Sequence, residues 1–273
     1  MKLRFVKVNP VENMTLFVLD PVPREEQMNV ANKLMKYSNI HGEQVGFIER
    51  EGSYIRLQMM GGEFCGNASR SLAAWMVYNE YPTVERMDEG YKVKLKVSGV
   101  EGIIECVVLP TDKRNSFWST VHMPLPLAVE ENSIEYGGSL VKTIRVDFPG
   151  ITHFIVDGKG IEDKEKFYNK LKWEMGQDEY EAFGIMYYDY EKNFLTPLVY
   201  VKATDSLYWE RSCASGTSAL GAALAFEKNT PLSKNVSQPG GNLEVLVDWT
   251  KDSLSNIGLK GLVDIVAEGT VYI

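Results

Sequence analysis

The chain has 273 residues, 44% of them apolar and 24% charged, with a formal net charge of −8. That length suits one large domain or two of ordinary size, and the composition supplies a substantial core. Acids and bases are interleaved without the basic footprint of a nucleic-acid binder, and no apolar run approaches the roughly 18 residues of a membrane-spanning helix.

The N-terminal stretch MKLRFVKVNPVENMTLFVLD alternates charged and apolar residues. Its pattern predicts a strand, a Pro-containing break and a second strand. It lacks the apolar core of a secretory signal, so a cytoplasmic protein is expected. EQVGFIEREGSYIRLQMM (43–60) predicts a hairpin with a charged turn. In GGEFCGNASRSLAAW (61–75), Cys65 stands directly before small residues, and Leu72, Trp75, Met76 and Tyr78 then recur at helical spacing. Asn67 or Ser69 is the expected cap of that helix. YKVKLKVSGVEGIIECVVL (91–109) again predicts strand, turn and strand, with Cys106 inside a strand pattern and expected in the core. In NSFWSTVHMPLPLAVEE (115–131) the strand pattern gives way to a Pro-rich linker, the expected boundary between the lobes.

The second half then repeats the order of the first. IRVDFPGITHFIVD (144–157), EAFGIMYYDYEKNFLTPLVYV (181–201), ERSCASGTSALGAALAF (210–226) and NVSQPGGNLEVLVDW (235–249) match the four earlier blocks in sequence. From Val8 to Val146 and from Val45 to Phe183 the offset is 138 residues; from Cys65 to Cys213 it is 148. A fixed order at nearly fixed spacing indicates duplication. The expected fold is α+β, with two pseudosymmetric lobes, each a mostly antiparallel β-sheet wrapped around a central helix. Residues 1–118 would form the N-terminal lobe, completed by the strand-like VDIVAEGTVYI (263–273), and residues 119–262 the C-terminal lobe. In the second helix Ser215 or Thr217 is the expected cap.

Three cysteines and three histidines, widely spaced and without CxxC or HxxxH pairs, support neither a disulfide framework nor a metal site. Cys106 has no counterpart in the second half, whereas Cys65 and Cys213 match each other. A helix start presents unpaired N–H groups and a positive dipole end, which bind a carboxylate and favour a thiolate. If the two lobes face each other, the two thiols flank one substrate. That arrangement suits inversion at the carbon beside a carboxylate: one cysteine, as thiolate, removes the α-proton, and the other, as thiol, returns a proton to the opposite face. The expected partner at this point is a small molecule with a carboxylate.

FCGNAS and RSCASGTSA resemble the paired motifs of the diaminopimelate epimerase family of cofactor-independent, two-cysteine racemases and epimerases. The likeness covers nearly the whole chain. NPVENMTLFV resembles that family's N-terminal strand, and GEQVGFIE and QPGGNLEVLV resemble two further segments. The resemblance implies Cys65 and Cys213 as the acid/base pair and substrate contacts from Asn13 and Gln44. It also implies carboxylate binding by N–H groups around Gly66, Asn67, Ala214 and Ser215, and a possible homodimer. Segments that would hold a second amino-acid end are replaced by GITHF, EAFGIMY, KATD and LQMM. NPxxNMT, EQVGFIE, GxEFCGNA and SCxSGT are similar to a narrower branch, the histidine racemases that serve staphylopine-type metallophore synthesis.

An imidazole side chain needs a hydrogen-bonding partner and an apolar face. Glu43, Glu63 and Glu210 adjoin the matched motifs and are candidate partners; Phe183 is a candidate wall. His153 stands where the family carries a histidine, and on a strand it is equally a core residue. Two other functions stay open: racemisation of another amino acid, diaminopimelate included, and carboxylate binding without catalysis.

Overall fold

The computed structural model describes residues 1–176 and 180–273. Their contacts divide the chain into two compact units, Met1–Met123 with Leu259–Ile273, and Pro124–Gly258. Within the 115–131 stretch the strand Ser116–Met123 gives way to the short Pro-containing segment 124–127, where the two units divide. The alternation Ser116, Phe117, Ser119, Val121 and Met123 is buried, and only residues 124–127 separate the flanking strands.

The first unit opens with β1 (Lys2–Asn9) and β2 (Thr15–Val18), paired antiparallel across the Pro-containing break. Next come α1 (Arg24–Met35), the hairpin β3 (Gln44–Glu51) and β4 (Tyr54–Met59), and α2 (Gly66–Tyr78). β5 (Glu85–Arg86), β6 (Tyr91–Val97), β7 (Ile104–Pro110) and β8 (Ser116–Met123) follow. The second unit begins with β9 (Ala128–Tyr136), β10 (Ser139–Phe148) and β11 (Ile151–Asp157), then α3 (Lys164–Met175). It continues with β12 (Ala182–Asp189), β13 (Phe194–Val201), β14 (Ser206–Trp209), α4 (Ala214–Lys228), β15 (Leu232–Gln238) and β16 (Gly241–Thr250). The last strand, β17 (Ser253–Tyr272), returns to the first unit, where its C-terminal half pairs antiparallel with β1 from Lys2 opposite Tyr272 to Asn9 opposite Asp264.

Each unit carries a second helix that one helix per lobe does not account for. α1 buries Gln27, Val30, Ala31 and Leu34 against the β1–β3 side of its unit. α3 buries Phe167, Tyr168, Leu171 and Met175 in a cluster with Phe154, Phe183, Ile185, Tyr187 and Tyr200. These helices make the sheets mixed, because a parallel neighbour requires a crossover. β2 pairs parallel with β3 after α1, and β11 pairs parallel with β12 after α3.

α2 and α4 differ from these amphipathic helices. Every residue from Gly66 to Val77 is buried, as is nearly every residue from Ala214 to Ala225. A helix buried on all sides is the inner element of its unit. Small residues permit the close approach: a Cβ added to Gly221 would lie 2.5 Å from Val245 Cγ2 on β16. Among the described residues, no helix is long and apolar enough to cross a membrane.

Candidate active site

Each central helix begins at a cysteine. Cys65 and Cys213 have extended backbones and are the N-cap residues of α2 and α4. The thiol sulfurs themselves cap the helices: Cys65 Sγ accepts from Ala68 N–H at 3.4 Å, and Cys213 Sγ from Gly216 N–H at 3.3 Å. This corrects the expectation that Asn67 or Ser69, and Ser215 or Thr217, do so. A cap bonds the N–H two or three residues ahead, and the N–H groups that start these helices lie just after the cysteines. Ser69 and Thr217 instead bond backwards, their hydroxyls donating to Cys65 O at 2.8 Å and Cys213 O at 2.6 Å. Both helix starts are therefore built alike, atom for atom.

Their surroundings differ. Around Cys65 the network is amide-rich. The thiol donates to Gln44 Oε1 at 3.2 Å, and Gln44 Nε2 donates to Asn13 Oδ1 and Thr15 Oγ1, both at 2.7 Å. Asn67 Nδ2 donates to the same Asn13 oxygen at 3.1 Å, while Asn13 Nδ2 donates to Glu43 Oε2 at 3.0 Å. Asn13, Gln44, Glu43 and Asn67, four of the residues singled out in the sequence, thus form one connected set with Cys65, drawn from the β1–β2 turn, the start of β3 and the first turn of α2. Beneath them lies Arg70, fully buried, with its Nε donating to Asn67 Oδ1 at 3.1 Å.

Around Cys213 the support comes from β15. Gln238 Oε1 accepts from Cys213 N–H at 3.0 Å, and Gln238 Nε2 donates to Thr217 Oγ1 at 2.9 Å. Glu210 hydrogen-bonds the thiol, and Ser215 Oγ lies 3.6 Å from Sγ. Burial pushes the Cys213 thiol well up and the Glu210 charge adds to this; the bonds from Ser215 and Gly216 offset part of it. Packing behind the helix start is tight, since a Cβ on Gly216 would lie 2.2 Å from Met186 Sδ.

The remaining candidates separate clearly. Cys106 is fully buried on β7, its thiol pushed up by burial, with Sγ 3.9 Å from Ser69 O. It is a core residue. Burial raises the Glu63 carboxyl. Phe183 is not a wall beside Cys213. It is 1% exposed and packs among Tyr168, Tyr180 and Tyr200 on the α3 side of β12. Its neighbours in the alternation, Gly184 and Met186, are the ones that face α4, because successive strand residues point to opposite faces. His153 is fully buried against Gly184, and neither ring nitrogen has a protein partner. Burial lowers its pKa to about 3, which makes it a neutral core imidazole.

Two residues of this site escaped the sequence reading. Gln238 was visible only as part of QPGG; a buried amide facing a helix cap has no sequence pattern of its own. Arg70 had one signal, a single charge in the otherwise uncharged 66–78 segment, which reads as a solvated position until the helix is known to be enclosed.

A family model described as the histidine racemase CntK N-terminal domain matches residues 2–272. A histidine racemase of Fusobacterium nucleatum is 37% identical over 277 residues, covering 99% of this chain and 97% of that protein. One of Staphylococcus aureus is 30% identical over 281 residues, covering 99% and 98%. Among solved structures, a probable proline racemase from Agrobacterium radiobacter superposes with a TM-score of 0.69 at 12% identity, covering 99% of this chain and 93% of that one. A hydroxyproline epimerase from Agrobacterium vitis gives 0.67 at 11%, covering 99% and 92%. At such identities the structural likeness concerns the fold alone.

Proposed function

The chain belongs to the histidine racemase family, and from that premise we propose that it interconverts L- and D-histidine without a cofactor, using Cys65 and Cys213 as a two-base pair. Inversion at a carbon requires a base on one face and an acid on the other. In one direction a thiolate takes the α-proton, leaving a carbanion-like centre conjugated with the carboxylate, and the opposite thiol gives up its own proton. The products are the enantiomer and an enzyme whose two sulfurs have exchanged protonation states. In the reverse direction the roles exchange. Two such thiols share one proton in the working state and titrate as a pair.

The observation that carries this proposal is the duplicated cap: two cysteines at matched helix starts, each sulfur accepting the backbone N–H three residues on. A core cysteine has no need of that arrangement twice. The N–H groups following each cysteine, around Gly66, Asn67, Ala214 and Ser215, would hold the substrate carboxylate, where a helix start stabilises negative charge. Asn13 and Gln44 would orient the substrate on the Cys65 side. Glu43 and Glu210 are the candidate acceptors for an imidazole N–H. The two units are read as the pseudosymmetric lobes of a diaminopimelate epimerase-like fold, acting in the cytoplasm, with homodimerisation as the expected assembly.

Incubation with L-histidine in D₂O, with α-proton exchange followed by NMR and handedness by chiral chromatography, tests the proposal. D-histidine formation with α-deuteration is expected. Exchange of another amino acid in preference to histidine would retain the two-thiol chemistry and reject the substrate; no exchange of any would leave a carboxylate-binding protein.

A further inference from the structure

Every amide in the network around Cys65 has its sense fixed from outside. An ionised carboxylate only accepts hydrogen bonds and a guanidinium only donates them. Asn13 therefore turns its Nδ2 to Glu43 and its Oδ1 inward. Asn67 turns its Oδ1 to Arg70 Nε and its Nδ2 to that same Asn13 oxygen, while Arg70 is itself held by donating from Nη1 to Leu262 O on β17 at 2.9 Å. Thr15 adds a third constraint: its hydroxyl hydrogen goes to Asn13 O at 3.0 Å, so it meets Gln44 with a lone pair. Gln44 Nε2 donates to both Asn13 Oδ1 and Thr15 Oγ1, and what it leaves to face Cys65 Sγ, at 3.2 Å, is the amide oxygen. Reversing Gln44 alone would set that oxygen against two acceptors.

An amide oxygen accepts a bond from a thiol and repels a thiolate, so it favours the protonated sulfur. The cap bond does not distinguish the two cysteines, since Ala68 N–H and Gly216 N–H serve them alike. The acceptor does. At the 138- and 148-residue offsets Asn13, Gln44 and Asn67 correspond to Ile151, Ala182 and Ser215, none of which carries an amide side chain. Cys213 Sγ instead lies 3.6 Å from Ser215 Oγ, a hydroxyl that rotates to donate or to accept. Its other partner, the Glu210 carboxylate, is a group that can take a proton, as an amide oxygen cannot.

We propose that Cys65 holds the shared proton in the resting enzyme, bonded to the fixed Gln44 oxygen, and enters the reaction as the acid. This rests on the two-thiol reading above. The charged groups of the segments around Cys65 pull in both directions. Glu43 and Glu63 oppose a thiolate and Arg70 favours one, while Glu12 in the β1–β2 turn is exposed and the Cys106 thiol is sealed in the core. Gln44, in contrast, touches the sulfur. Once Cys65 has given its proton to the substrate, its thiolate faces the same oxygen. Uptake of a proton from solvent then restores the resting form, as Cys213 releases the one it took. The two enantiomers thus meet the resting enzyme on unequal terms: the one whose α-proton faces Cys213 reacts directly, the other only after the proton has moved.

The test is the S–H stretching band in the infrared spectrum of the double variant Cys106→Ser, Cys213→Ser, where Cys65 is the one cysteine left; it requires no turnover. At neutral pH the band should be present, at lower wavenumber than that of a free thiol, and adding Gln44→Met should move it to higher wavenumber. An absent band, or a band that Gln44→Met does not move, overturns the proposal. Should the double variant fail to fold, iodoacetamide alkylation of the wild type against pH, read at Cys65 by peptide mass spectrometry, decides it. The Cys65 midpoint should lie no lower than that of an ordinary thiol, about 8.5, and a lower midpoint overturns the proposal. An absent band together with loss of racemisation in Cys65→Ser would overturn the proton assignment alone. The expected band together with undiminished racemisation by Cys65→Ser would instead overturn the acid role through failure of the two-thiol reading.

Discussion

The segment that delivers Cys65 to its helix is held by a turn that tolerates no side chain. Gly99 follows β6 with φ +73°, and a Cβ there would lie 2.3 Å from Phe64 N and 2.7 Å from the Glu63 carbonyl carbon. Both are backbone atoms, so the collision cannot be relieved by a rotamer change. The neighbouring Ser98 hydroxyl donates to Glu63 O at 2.6 Å and accepts from Met59 N–H at 3.0 Å, tying the turn to the same segment. Gly102 provides the control, since its φ is +90° but an added Cβ would meet nothing within 4 Å. Gly102→Ala should cost only the left-handed backbone term, about 1–2 kcal/mol. Gly99→Ala should cost that and a further 1–3 kcal/mol, roughly, for overpacking. Denaturant unfolding of both variants measures the difference, and α-proton exchange measures its functional consequence, which should be severe for Gly99→Ala and slight for Gly102→Ala. Equal loss of stability in the two variants, or full exchange activity in Gly99→Ala, would refute the claim that this contact sets the Cys65 segment.

Gln238→Ala removes the partner of Cys213 N–H and of the Thr217 hydroxyl, and should destabilise the protein by about 1–3 kcal/mol while lowering exchange activity; unfolding and exchange assays read the two effects. Phe183→Ala should cost about 3–5 kcal/mol and leave the alkylation rate of Cys213 in the folded protein unchanged, a result that an active-site wall would not give. His153 makes the protein acid-sensitive: its folded pKa, about 3, lies below the ordinary value of 6.5, so the unfolded chain binds the extra proton between those limits. Its contribution is complete above pH 6.5 and is lost as pH falls toward 3, and His153→Leu should flatten the dependence of unfolding midpoint on pH across that window.

The parts of the fold that the sequence reveals are those governed by short-range pattern. The paired strands, the charged hairpin turns and the two cysteine-headed helices all carry period-2 or helical spacing within a few residues. α1 carried such a signal too, at Gln27, Val30, Ala31 and Leu34, but one of its four buried positions is polar and its neighbours are charged, so the stripe is narrow. The caps were misassigned because Asn67, Ser69, Ser215 and Thr217 are ordinary capping residues, while a sulfur acceptor is a weak one. Phe183 was misplaced by a single step of alternation; a strand covered on both faces by helices gives no local sign of which face meets which helix. Arg70 is the largest omission. Its burial follows from the enclosure of α2 by strands distant in sequence, and no local pattern reports that.

The central claim is that both thiols, and only those two, perform the inversion. The most direct test is α-proton exchange and D-histidine formation in D₂O for wild type, Cys65→Ser, Cys213→Ser and Cys106→Ser, each checked for folding by circular dichroism. The expected result is loss of net racemisation in the first two variants and near wild-type rates in the third. Sustained racemisation by either of the first two, or its loss in folded Cys106→Ser, would contradict the two-thiol account.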